Sequence, residues 1–163
     1  MIKNKIYVLI LIFTYFVITG FCHAYSKSIS KEKTVNSELR NLSGKKIAIN
    51  AGKRTIIIEL YDNATANDLL SQLPLTLKSS DYLGYDEKVI RLKTPLSMAG
   101  APKGDNPLIP EFGYYHPSQW LAIYYGPIGY WSGKVPLGKI NATIEELKAI
   151  PNNIEVKIEE IKK

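Results

Sequence analysis

At 163 residues, with 45% apolar and 22% charged side chains, the chain has room for one globular domain and the composition of one. Its formal charge of +6 is scattered rather than gathered into a basic stripe, which argues against a nucleic-acid partner. The single cysteine, Cys22, lies in the first apolar segment, so disulfides, thiol catalysis and thiolate metal sites are excluded from everything downstream.

Residues 1–24 read as a secretory signal. Lys3 and Lys5 form a positive start, residues 6–18 are apolar apart from Thr14, and Cys22-His23-Ala24 offers small side chains at −3 and −1 for cleavage after Ala24. Two other outcomes are open. Cys22 as a lipidation site is disfavoured by the bulky Phe21 before it. Retention as an anchor is disfavoured because residues 6–21 fall short of the roughly 20 residues of a membrane span. Cleavage is the expectation, giving a periplasmic or secreted protein with no stable membrane insertion. Residues 25–44 are polar without a sustained period and are expected to form a flexible tether. The folded domain is then expected over residues 45–163.

The body opens on a hairpin. Ile47 and Ile49 share one face, a turn follows at Asn50-Ala51-Gly52-Lys53, and Arg54 begins a β-branched run through Ile56, Ile57 and Ile58. Ala66, Leu69, Leu70 and Leu73 then fall at i, i+3, i+4 and i+7, one stripe of a short helix. Asp62, Asn63 or Thr65 can cap it, and Pro74 stops it. Short strands are expected at 75–78 and 88–93. Residues 94–110 are rich in proline and glycine and predict a long loop. Strands at 113–116 and 119–125 should pair across Pro117-Ser118, and another is expected at 135–140. Thr143-Ile144-Glu145-Glu146 has the capping-box pattern of a second short helix, ended by Pro151. Ile154, Val156 and Ile158 alternate with charged residues in a last strand. Many short strands with two short helices predict a mostly β fold, a small closed or nearly closed β barrel.

Four segments, DNATANDLLSQLPLTL (62–77), DYLGYDEKVIRLKTPLS (81–97), YYHPSQWLAIYYG (114–126) and VPLGKI (135–140), together resemble the bacterial cyclophilin-like domain family in order and spacing. The Leu-Pro-Leu-Thr stretch at 73–76 and the Glu87-Lys88 pair are the most specific parts. The resemblance implies a small cyclophilin-like barrel with two helices. It implies no reaction, because fold alone does not fix function. True cyclophilins are prolyl isomerases whose arginine stands in a Phe-His-Arg context followed by Gln-Gly-Gly-Asp. Neither context occurs here, and Arg91 is the body arginine that compares at all.

The remaining chemistry is sparse. His116 is the one histidine after the signal, and a lone histidine makes neither a metal cluster nor a base with a partner. No metal and no cofactor is expected. Asp86, Glu87 and Lys88 read as a local ion pair fixing a loop. Tyr82, Tyr85, Tyr114, Tyr115, Trp120, Tyr124, Tyr125, Tyr130 and Trp131 form an aromatic concentration, and alternation sends one member of each adjacent tyrosine pair inward and one outward. Tyr82, Tyr114, Tyr115, Trp120 and Tyr124 are therefore the candidate ligand residues, at an aromatic barrel mouth that would take a peptide segment or a small molecule. Prolyl isomerisation through Arg91 is the alternative, and a structural role in the cell envelope is a third. The sequence leaves the oligomeric state open.

Overall fold

The computed structural model describes residues 38–162. The expected signal peptide and most of the expected tether lie outside the described residues.

Among the described residues, ten strands and two α-helices follow one another. They are β1 (Leu42–Ala51), β2 (Arg54–Tyr61), α1 (Ala64–Ser71), β3 (Leu75–Asp81), β4 (Glu87–Arg91), β5 (Gly104–Asp105), β6 (Glu111–Tyr115), β7 (Trp120–Tyr124), β8 (Trp131–Ser132), β9 (Lys134–Asn141), α2 (Ile144–Lys148) and β10 (Ile154–Ile161). Eight of the strands close into an antiparallel barrel in the order β1-β10-β3-β4-β7-β6-β9-β2. β5 and β8 form a separate two-stranded ribbon. The expected closed barrel with two short helices is the fold observed. β1 starts at Leu42, three residues before the expected domain start, because Leu42 still pairs with Tyr61 across a bulge.

Period-two alternation builds the interior. Ile47 and Ile49 of β1 face Ile58 and Ile56 of β2, and on the other side Ile49 faces Ile158 of β10. Ile90, Phe112, Tyr114, Leu121, Ile123, Val135 and Leu137 complete one continuous core, and every one of them is buried. Closure leaves no unpaired sheet edge in the barrel. The wall of β9 is irregular where its pairing with β6 shifts between Phe112 and Gly113. Gly138 sits there because a Cβ would lie 2.6 Å from Ile58 Cγ2 and 2.8 Å from the Glu59 carbonyl.

Both helices add to the same core, α1 through Ala66 and Leu69 and α2 through Leu147. The cap of α1 is Asn63, whose side chain accepts from the Ala66 amide. At α2 the expected capping box is present in full: the Thr143 side chain accepts from the Glu146 amide, and Glu146 accepts from the Thr143 amide. A missing cap of this kind typically costs about 1 kcal/mol.

Candidate functional site

The strand order places β4, β7, β6 and β9 side by side, and their register writes three rows on the outer wall. Arg91, Trp120, Tyr115 and Lys134 lie abreast in the first row. Val89, Ala122, Gly113 and Pro136 form the second, and Glu87, Tyr124 and Glu111 the third. These residues point outward because their neighbours Ile90, Leu121, Ile123, Phe112 and Tyr114 fill the interior.

This outer face is itself covered. Val89, Trp120, Ala122, Tyr124 and Ile128 form a second apolar cluster, with Tyr82, Ile109, Tyr115 and Trp131 packed against it. Trp120 is at the centre, with Tyr82 5.0 Å and Tyr115 5.2 Å from its ring. Trp131 meets Tyr82, Tyr85 and Tyr115 edge-on at 6.4, 5.1 and 5.5 Å. Arg91 is exposed and holds its guanidinium 4.8 Å from the Trp120 ring centre. The middle row is small for a reason. Tyr124 lies across Gly113, where a Cβ would come within 2.7 Å of its Cε2.

The aromatic candidates therefore separate. Tyr82, Tyr115, Trp120 and Tyr124 share the outer face, whereas Tyr114 is inside the barrel, where its hydroxyl accepts from the Leu96 amide at 3.2 Å. The ring cluster stands on the barrel wall and not at its mouth, since Leu121 and Ile123 take the inward positions of β7. It is a packed face. Two clefts, of about 170 and 240 Å³, lie elsewhere, around Pro74. His116 is exposed and touches the Tyr114 ring edge-on. Asp86, Glu87 and Lys88 do not pair with one another: Lys88 bonds to Asp81, and Glu87 turns to the opposite face.

Two buried polar groups lie in this region, and Arg40, Tyr61, Asp105, Glu111 and Lys134 in them carry no signal that sequence reasoning uses. The first is a clasp. Arg40 donates to both oxygens of Glu111, at 2.8 and 2.9 Å, and to Asp105 at 2.7 Å. Tyr61 adds its hydroxyl at 3.0 Å and Leu108 its amide at 2.9 Å, both to Glu111. Burial works against the Arg40 charge, but the bonds and fields of Glu111 and Asp105 outweigh it and raise the guanidinium further. Burial pushes Glu111 up against the opposing pull of Arg40, and burial with the nearby Glu111 carboxylate raises Tyr61.

The second group sits between the wall and the ring layer. Glu87, Trp120, Tyr124 and Lys134 are 0, 3, 1 and 2% exposed. Both Glu87 oxygens, Trp120 Nε1, the Tyr124 hydroxyl and Lys134 Nζ have no hydrogen-bond partner among the described residues. Lys134 Nζ lies 4.8 Å from the Tyr124 ring centre and 4.3 Å from that of Trp131. Burial pushes the Glu87 carboxyl up to about 6, resisted by the charge of Lys134. Burial brings Lys134 down to about 8, resisted by Glu87 and Asp105. Burial, with the charge of Glu87 next, raises Tyr124 well above its ordinary value. Glu87 and Lys134 thus feel each other without bonding.

One sequence signal pointed here. The run Trp120-Leu121-Ala122-Ile123-Tyr124 has no polar residue on either face, as a strand covered on both sides should. Glu87 and Glu111, which flank Tyr124 outside the barrel, are buried with it. Among the described residues, no three His, Cys, Asp or Glu side chains are grouped to hold a metal, and no helix is long and apolar enough to cross a membrane.

Comparison with known proteins agrees with this architecture. A hypothetical protein from Archaeoglobus fulgidus, solved in solution, is similar over 73% of this chain and 96% of its own, with a TM-score of 0.58 and 16% identity. McbB, solved in complex with tryptophan, is similar over 69% of this chain and 44% of its own, with a TM-score of 0.51 and 16% identity. At that identity the likeness is one of fold. No curated protein matches. The model of the cyclophilin-like family matches residues 49–159, from the first strand of the barrel to the last, and the chain belongs to that family.

Proposed function

We propose that this domain is a binding module that takes a peptide segment or a small ligand on the outer face around Trp120. The observation that carries the reading is the Trp120 surround: half-buried Tyr82, Tyr115 and Trp131 over a wall of buried, unpartnered polar atoms. Native interiors rarely leave such atoms without partners, and functional sites are where they do. Aromatic rings beside a few convergent polar groups are the usual lining of a ligand site. Binding here displaces rings that now close over the wall.

The test uses the chain's own reporters. Both of its tryptophans, Trp120 and Trp131, belong to this face, so intrinsic emission reads occupancy directly. Screening proline-containing peptides and small metabolites should give a saturable emission change that Tyr82→Ala weakens. Ligands that bind without changing emission would place the site elsewhere and end the reading.

Arg91 supports a second reading, prolyl isomerisation. An exposed guanidinium against an indole offers a donor beside an apolar wall, and weakening amide resonance is all that a barrier of roughly 20 kcal/mol requires. A proline-peptide assay decides: activity lost in Arg91→Ala favours catalysis, and absence of activity in the wild type removes it. The proposed place of action is outside the cytoplasm, on the strength of the residue 1–24 pattern. A mature N-terminus at Tyr25 is the expected result of sequencing the protein from its native cell.

A further inference from the structure

The unpartnered atoms on the outer wall are not of one kind. Glu87 offers two acceptor oxygens, whereas Lys134 Nζ, Trp120 Nε1 and the Tyr124 hydroxyl offer donors. They come from β4, β7 and β9 in the two rows that flank the small row of Ala122 and Gly113, and Lys134 Nζ reaches across it to 4.8 Å from the Tyr124 ring centre. The carboxylate and the ammonium stand close enough to shift each other's ionisation, yet neither bonds to the other. The neighbouring Asp105 and Glu111 already have Arg40 as their partner.

We infer that this wall holds a small zwitterion of the α-amino-acid type, with its ammonium on Glu87, its carboxylate on Lys134 and the indole N–H of Trp120, and its side chain against the aromatic rings. The assignment rests on the ligand-binding reading of the same face and names the ligand class. Its physical basis is charge matching. A purely anionic ligand satisfies Lys134 and leaves Glu87 buried and alone, and a purely cationic one does the reverse. Either leaves an uncompensated buried charge, the costly case. A zwitterion partners both ends and leaves the net charge of the site unchanged. Trp131, half-buried on the β5–β8 ribbon, and Tyr82 are the rings that must swing away to admit it.

The test is calorimetry and tryptophan emission on the full chain with L-leucine, 4-methylpentanoate and 3-methylbutylamine, which share an aliphatic tail and carry both charges, the negative one and the positive one. L-leucine should bind saturably and at least tenfold more tightly than either single-charge analogue, and Lys134→Met and Glu87→Gln should each weaken it at least tenfold. If one variant fails to fold, the analogue series and the other variant decide. Single-charge analogues that bind as well as leucine, or leucine binding that survives both substitutions, overturn the inference. So does an absence of saturable leucine binding, the result expected where ordered water alone partners these atoms. Peptides that still change the emission in that case leave the binding face standing and remove only the amino-acid assignment. No response to any ligand removes both.

Discussion

Two buried polar groups lie within a few residues of each other on this barrel and are built on opposite plans. The clasp of Arg40, Asp105, Glu111 and Tyr61 is saturated, with a two-pronged arginine–carboxylate pair and further donors on the same carboxylate. The Glu87–Lys134 group has the same kinds of side chain at similar burial and none of the bonds. A saturated group holds structure together: the clasp ties the segment before β1 to β6 and, through Asp105, to the β5–β8 ribbon. An unsaturated group costs stability in the free protein and is explained best by something it binds.

The largest expected effect separates the two. Arg40→Met leaves Glu111 and Asp105 buried without their cation and should cost about 3–5 kcal/mol in chemical denaturation. A cost under about 1 kcal/mol would mean that the clasp is a surface ornament.

The next effect is one of pH. Glu87 has a folded pKa of about 6 against an ordinary 4.5. The folded state therefore holds more protons between those values, and the Glu87 contribution, complete below 4.5, is lost as pH rises through 6. The loss is about 2 kcal/mol and should vanish in Glu87→Gln. Lys134 is lowered from 10.5 to about 8, so the unfolded state holds more protons between those values and stability rises with pH there. Denaturation curves of wild type and Lys134→Met across pH 8–10.5 should diverge accordingly. Parallel curves in both windows would show that the pair is solvated after all.

The smallest effect belongs to Arg91. Its side chain is exposed over Trp120, and Arg91→Ala should lower stability by about 0.5–1 kcal/mol. A larger loss would mean that Arg91 is part of the packing and not the rim of a site.

The same contrast shows what the sequence makes legible. Ile47, Ile49, Val156 and Ile158 announce the barrel interior through period two, and Thr143 with Glu146 announces a helix start through a local hydrogen-bond pattern. The aromatic grouping was legible too, including the split of Tyr114 from Tyr115. The wall position was not, because alternation tells which residues share a face and not whether that face is covered. The cover comes from scattered loop and ribbon residues, Tyr82 after β3, Ile109 in the 94–110 loop, and Ile128 and Trp131 after β7. For the same reason Glu87 reads as part of a local ion pair with Asp86 and Lys88, and Lys134 carries no signal of its own. Arg40 sits in a polar stretch without periodicity, and its partners are 65 and 71 residues away in the chain.

The most direct test is the stability and ligand response of the double variant Glu87→Leu with Lys134→Met. Removing an unpartnered buried carboxylate and ammonium in favour of apolar side chains of similar size should leave the free protein as stable as wild type or more so, while the Trp120 face no longer responds to ligand. A double variant that is several kcal/mol less stable, or one that binds as wild type does, would contradict the account: those side chains would then belong to the scaffold and not to a site.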